Sequence, residues 1–220
     1  MSGTNDITAV YYTAGHLPKQ FQAHMMGQLK HSLAGIPMEI VRLGDESERS
    51  HFMIYRQALA GAKKATTPYI ALCEDDVLYS PEHFKYRPSP GKFAYNLGAW
   101  SIFTWGKPVF THKGIVRRNL NGLICERELF IEAMEERFAK YPKPTDDLKK
   151  IWAEPGRYEN QLGVTVRETE EFYTNPPNIV FSHQTELSFA GLGTRKRVGE
   201  FRAYEIPYWG TAEKIRGLYE

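Results

Sequence analysis

A continuous apolar run, Tyr69-Ile70-Ala71-Leu72-Cys73, passes directly into three carboxylates, Glu74-Asp75-Asp76. Five apolar residues without alternation describe a strand covered on both faces, as in the middle of a parallel sheet. Such a strand needs helices on either side, and the preceding chain supplies them. Ile7 to Tyr12 is a β-branched and aromatic strand. Thr13-Ala14-Gly15 is a turn, and Pro18 opens a helix running to about Leu33, with Phe21, Met25, Leu29 and Leu33 on one face. Gly35 and Pro37 end it. Met38 to Leu43 is a second strand, followed by the polar loop Gly44-Asp45-Glu46-Ser47. A second helix runs from about Ser50 to Ala65, with Ile54, Ala58 and Ala62 at four-residue spacing, and Thr66-Thr67-Pro68 stops it. This β-α-β-α-β order predicts a parallel sheet with right-handed crossovers. Ligands of such sheets bind outside the carboxyl ends of the strands, which is where the three acids fall.

Beyond the acids the pattern changes. Pro81, Pro88 and Pro90 mark a loop-rich stretch. Phe93 to Tyr95 and Ala99 to Trp105 read as strands of a hairpin turning at Asn96-Leu97-Gly98, and Val109 to Arg117 adds another. Glu126 to Tyr141 is an amphipathic helix with Phe130, Met134 and Phe138 in register, ended by Pro142 and Pro144. Ile151 to Arg167 is mixed, and Pro176-Pro177 precedes a strand at Ile179-Val180-Phe181. The expected organisation is one α/β domain over residues 1–220, a central mostly parallel sheet flanked by helices. Residues of about 5–80 bind one ligand, about 90–190 shape a second site, and 191–220 form a basic loop and tail.

Composition narrows the class. The 220 residues are 42% apolar and 25% charged, which excludes disorder, collagen and coiled coil. A chain this long buries about 70% of its unfolded surface, enough for a real core. No apolar run approaches the ~20 residues of a membrane span. Met-Ser-Gly-Thr-Asn-Asp at the start lacks the basic and apolar regions of a signal peptide, so the expected location is the cytoplasm. Cys73 and Cys125 cannot build a disulfide framework or a four-sulfur zinc site, and their apolar neighbours point to buried free thiols. The net charge is only +2. Its distribution says more, because Arg195-Lys196-Arg197, Arg202, Lys214 and Arg216 make the C-terminus locally basic beside Tyr204, Tyr208 and Trp209. No obligate protein partner is evident.

Three adjacent carboxylates at the end of a buried strand repel one another, and burial disfavours their ionisation. A hard divalent cation, Mg²⁺ or Mn²⁺, resolves the conflict and keeps sites for phosphate oxygens. The plain alternative is a solvated acidic turn. Here Tyr55-Arg56-Gln57-Ala58-Leu59-Ala60-Gly61-Ala62, followed by Thr67-Pro68-Tyr69-Ile70-Ala71-Leu72-Cys73-Glu74-Asp75-Asp76, resembles the core of GT-A glycosyltransferases, most of all the family-two type. The likeness covers roughly residues 5 to 80. Gln57 stands where that pattern has Asn, and Cys73-Glu74 where it has Asp-x. The resemblance implies a GT-A (Rossmann-like) fold and a metal-dependent transferase of the "DxD" kind, hexosyl or pentosyl, using a nucleotide-diphosphate sugar.

The same resemblance implies roles. Asp76 is the direct metal ligand, with Glu74 and Asp75 on the donor side and Glu74 facing sugar or ribose. Tyr12 and Thr13 line the nucleotide base, and Asp45 sits near base or ribose. Arg49 and Arg56 approach the diphosphate or brace the acids. His183, after Ile179-Val180-Phe181-Ser182, fits the C-terminal metal histidine of these enzymes, whereas His16, His24, His31, His51, His83 and His112 have no such setting. Gly191-Leu192-Gly193-Thr194-Arg195-Lys196-Arg197 mimics a signature of sugar nucleotidylyltransferases but lies at the wrong end of the chain. A glycine-hinged loop carrying Arg195 and Lys196 suits closure over the diphosphate. An inverting transferase also needs a base near the acceptor hydroxyl. The expected base is Glu154, then Glu159, with Asp146-Asp147 behind them.

For the acceptor, the small size, basic C-terminus and aromatics suit nucleic acid. The chain is similar in this to phage enzymes that glycosylate hydroxymethylated pyrimidines in DNA, which would place it in host cytoplasm. A saccharide acceptor is the alternative. A metal-dependent phosphoesterase or nuclease, or a non-catalytic nucleotide-binding module, are the competing classes.

Overall fold

Strand β1, Ile7–Thr13, is buried from end to end and feeds two cores. Val10 and Tyr12 point to one, while Ile7, Ala9 and Tyr11 point to the other. Strand β3, Tyr69–Glu74, does the same, with Ile70 and Leu72 on the first side and Ala71 and Cys73 on the second. Both runs are apolar without alternation for this reason: neither face meets water. The computed structural model describes residues 6–42, 50–114, 118–144, 151–184 and 199–220.

The first sheet also contains β2 (Met38–Arg42), β5 (Lys92–Asn96), β8 (Leu123–Glu126) and β9 (Glu168–Phe172), in the order β2-β1-β3-β8-β5-β9. β1 runs parallel to both β2 and β3, and β5 runs parallel to β9. Only β8 is reversed, antiparallel to β3 and β5. The sheet is therefore mostly parallel, as expected. Helix α1, Lys19–Leu33, covers the second face. Helices α2, His51–Lys64, and α3, Arg127–Lys140, cover the first. Ser50 caps α2 by accepting the Met53 amide at 3.2 Å. α2 lies close on β1 because Gly61 has no side chain: a Cβ there would meet Val10 Cγ1 at 2.3 Å.

A second sheet has the order β11-β7-β6-β10-β4. Its strands are β4 (Val77–Leu78), β6 (Ala99–Phe103), β7 (Phe110–His112), β10 (Asn178–Ser182) and β11 (Phe201–Ala203). β6 and β10 are parallel, and the other pairs are antiparallel. The expected hairpin between β5 and β6 does not exist, since the two strands belong to different sheets. The Gly98 amide donates to the Asn96 side chain at 2.8 Å, the Leu97 amide to Phe172 O at 2.8 Å, and the Asn178 amide to Gly98 O at 2.8 Å. The chain thus steps from one sheet to the next at Asn96–Gly98, with Leu97 buried, instead of turning back.

The described C-terminal stretch is also not a tail. The hairpin β12 (Glu205–Ile206) and β13 (Gly210–Thr211) leads into α5, Ala212–Arg216. Ile206, Trp209, Ala212 and Ile215 join Phe21, Met25, Ile102, Phe110, Ile179 and Phe181 in a third apolar cluster. Of the aromatics that looked free of any core, Trp209 is buried while Tyr204 and Tyr208 are exposed. Cys73 and Cys125 are fully buried free thiols, as expected. No helix among the described residues is long and apolar enough to cross a membrane.

Candidate functional site

The chain passes from β1 to β2 on one side and then back past β1 to β3 on the other, with α1 and α2 on opposite faces, so the crevice expected of such sheets falls at the carboxyl ends of β1 and β3. The crevice is edged by Tyr12 and Thr13 from β1 and by Glu74, Asp75 and Asp76 from β3 and the turn after it. The acids end β3 because its next two residues form a tight turn into β4. That turn is held by the Phe181 amide, which donates to Asp76 O at 2.9 Å.

Each acid has different company. Glu74, half-buried, accepts Tyr12 Oη on Oε1 at 2.8 Å and Asn121 Nδ2 on Oε2 at 2.8 Å, while its own amide donates to Tyr79 Oη at 3.0 Å. Asp75 is buried and accepts the Thr13 hydroxyl, which in turn accepts the Gly15 amide at 2.9 Å. Burial first, and the neighbouring Asp76 second, push Glu74 up to about 8 and Asp75 up to about 6. Burial and the charge of Glu74 likewise hold the Tyr12 phenol well above its ordinary value.

Asp76 differs from both. Its Oδ2 is 3.3 Å from His183 Nε2, and its Oδ1 is shut off from solvent with no hydrogen-bond donor among the described residues. His183, only 2% exposed, follows β10 and is brought to Asp76 by the same pairing that fixes the turn. Its ring is flanked by His16, with centres 5.7 Å apart, and by Tyr219, stacked at 6.0 Å. No three His, Cys, Asp or Glu side chains among the described residues converge on a single metal position as they stand.

The expected base candidates lie on the loop 151–159. Arg137, 2% exposed, straps that loop by donating to Ile151 O at 3.0 Å and Ala153 O at 2.6 Å, and Tyr95 Oη donates to Pro155 O at 2.6 Å. Glu159, at the start of α4 (Glu159–Leu162), is 5% exposed, paired with Arg137 at 3.3 Å, and accepts the Gly156 amide. It is tied into holding the loop. Glu154 pairs with Arg157 at 2.9 Å nearer the surface. On α2, burial and then the charge of Glu154 raise the Tyr55 phenol, with a further push from Glu74.

The structure therefore brings together Tyr12, Thr13, Glu74, Asp75, Asp76 and His183, while Glu154 lies on the loop with Arg157. Tyr12 and Thr13 hold the acids. Arg56 is exposed on α2, and no hydrogen bond or ion pair among the described residues joins it to the acids. Asp45, Arg49, Asp146, Asp147, Arg195 and Lys196 lie outside the described residues. Sequence reasoning missed Asn121, Tyr55, Tyr79, His16 and Tyr219. Asn121 sits in a short 3₁₀ turn, Leu120–Gly122, and reads locally as an ordinary turn residue.

No known family description matches the chain, and no curated protein does. Among solved structures it is similar to a glycosyltransferase involved in the glycosylation of the major capsid of PBCV-1, at 12% identity, covering 79% of this chain and 92% of that one, with a TM-score of 0.46. It is similar to Drosophila beta-1,4-galactosyltransferase 7, solved with manganese, UDP-Gal and xylobiose, at 12% identity over 89% and 81% of the two chains, also with a TM-score of 0.46. A nucleotidyl transferase from Methanothermobacter follows at 13% identity, 76% and 88% coverage and a TM-score of 0.38. At these values the α/β architecture rests on the strand order given above.

Proposed function

We propose that the chain is a metal-dependent GT-A glycosyltransferase that moves a sugar from a nucleotide-diphosphate sugar to a hydroxyl acceptor. The observation that carries this reading is the Asp76–His183 pair at the switch point of the sheet, with one carboxylate oxygen buried and without a donor. An unsatisfied buried carboxylate oxygen is costly unless a cation meets it. One carboxylate and one neutral imidazole fit Mn²⁺ or Mg²⁺ bound chiefly by donor phosphates. When bound, the ion supplies positive charge against the diphosphate leaving group.

The chain's own residues do the rest. Tyr12 and Asn121 fix Glu74, and Thr13 fixes Asp75, so the acidic turn is set before donor arrives. Glu154, released from Arg157, takes the proton of the acceptor hydroxyl. Asp45 is assigned to base or ribose, and Arg49, Arg195 and Lys196 to the diphosphate. The acceptor we assign is a hydroxymethylated pyrimidine in DNA. Support comes from Arg202 and Lys214, both exposed, in the segment that presents Tyr204 and Tyr208.

The test is donor hydrolysis across nucleotide sugars with Mn²⁺, for wild type and Asp76→Asn. Wild type turns over one donor and Asp76→Asn binds none while keeping its fold. Equal turnover by the two sinks the metal reading, and cleavage of phosphodiesters without donor use would favour a phosphoesterase. DNA binding against salt tests the acceptor. The slope of log affinity is about −0.9 per neutralised phosphate, and removing Arg202 or Lys214 reduces it by about one each. A flat response leaves a saccharide as acceptor.

A further inference from the structure

The loop between β1 and α1 carries another imidazole to the same end of the sheet. His16 lies ring-to-ring with His183, centres 5.7 Å apart and planes at 44°, and His183 in turn touches Asp76. Both ring nitrogens of His16 are out of solvent, although the loop next to it contains the exposed Gly15. Two imidazoles on one first-row ion have ring centres roughly 4.5–6 Å apart, for metal–nitrogen bonds of about 2.1 Å and angles from a right angle to wide tetrahedral. The observed spacing falls within that span.

We propose that His16 is a second imidazole ligand of the divalent ion held by Asp76 and His183, making a site of two histidines and one carboxylate. The inference rests on the metal site of the preceding reading. Because the three groups do not converge as they stand, His16 turns about its own side-chain torsions to bind. Two nitrogens shift selectivity: Mg²⁺ prefers oxygen, whereas imidazole suits Mn²⁺, Co²⁺ and Zn²⁺. The chain therefore discriminates against Mg²⁺, and His16 is the residue responsible.

The probe is Mn²⁺ alone, without donor, bound to the whole chain and examined by pulsed electron paramagnetic resonance, which counts coupled imidazole nitrogens. Wild type shows two imidazoles and His16→Gln shows one, with Mn²⁺ affinity down ~10-fold or more and the preference over Mg²⁺ narrowed. Helix content and melting in chelator confirm that His16→Gln is folded. In a second variant, His16→Cys, bound Co²⁺ gives a thiolate-to-cobalt charge-transfer band, since the thiolate takes the place of the imidazole. One imidazole in wild type, an unchanged count in His16→Gln, or no such band overturns the proposal. Asp76→Asn separates this failure from that of the site itself. If Asp76→Asn loses Mn²⁺ and His16→Gln does not change the count, only the second imidazole is wrong; if neither variant changes Mn²⁺ binding, the metal site is wrong as well.

Discussion

Two regions of this molecule bury carboxylates, and they neutralise them differently. On the loop 151–159, Glu159 meets the buried guanidinium of Arg137 and Glu154 meets Arg157. After β3, Glu74 and Asp75 meet a phenol, an amide and a hydroxyl, and Asp76 meets an imidazole. No Lys or Arg among the described residues pairs with these three acids. The first arrangement is complete in itself. The second gathers negative charge without a permanent cation, and burial with mutual repulsion raises Glu74 and Asp75. Among the described residues a guanidinium stands beside Glu159 and none beside the acidic turn, and the proposed cation site rests on that contrast.

The sharpest test of the contrast is Glu154, the carboxylate of the first region proposed as the base. Glu154→Gln lowers turnover by ~10²–10⁴ with donor affinity nearly unchanged, as for loss of a general base. Steady-state kinetics and donor titration measure both, and an unaltered turnover rate removes Glu154 from the reaction. Next in size is Arg137→Met. It strands Glu159 and frees the carbonyls of Ile151 and Ala153, and costs about 3–5 kcal/mol in urea unfolding. Adding Glu159→Gln recovers part of that loss. A single variant as stable as wild type would show that the pair does not neutralise a buried charge.

How much of this could be read from the chain depends on the range of the interactions. α1 and α2 begin and end within a residue or two of their expected bounds, because Pro18, Ser50 and the spacing of Phe21, Met25, Leu29 and Leu33 act locally. Asp76 and His183 were readable as residue types at strand ends, and the β4–β10 pairing that joins them spans a hundred residues that leave no local mark. Asn96-Leu97-Gly98 has the composition of a hairpin turn, but Phe172 and Asn178 claim its backbone groups. β8 is four residues that merge into α3, too short to separate by periodicity. The Arg137–Glu159 pair lies 22 residues apart across two elements, so Glu159 looked as free as Glu154.

His83 extends the contrast to a group with no charged partner. It is fully buried among Tyr79, Phe84 and Phe172, accepts Asn96 Nδ2 at 3.1 Å, and burial lowers it to about 3. The folded chain resists a proton there that the unfolded chain accepts below about 6.5. Its contribution is complete above that pH and is lost as pH falls toward 3, at up to about 1.4 kcal/mol per pH unit. Urea unfolding at pH 7, 6 and 5 measures the slope. His83→Gln flattens it by one proton relative to wild type, and equal slopes would mean that His83 protonates in the folded protein.

The smallest effect asked for is the one most specific to the comparison. Asp75→Asn removes one of three crowded carboxyl groups and keeps an oxygen for the Thr13 hydroxyl. In chelator the variant is as stable as wild type or more stable, by up to about 1 kcal/mol, because the neutral amide avoids both the desolvation and the repulsion that burden the carboxylate. The opposite sign to Arg137→Met is the point: one region loses stability when its charge balance is broken, the other when its charge excess is kept. With saturating Mn²⁺ the order reverses. Wild type gains stability as RT ln(1 + [Mn²⁺]/Kd), and Asp75→Asn gains less because the ion sees a weaker field. Paired urea titrations in chelator and in Mn²⁺ give both numbers for both proteins. If Asp75→Asn is destabilised in chelator by as much as Arg137→Met, the acidic turn is self-sufficient and the two regions do not differ as argued.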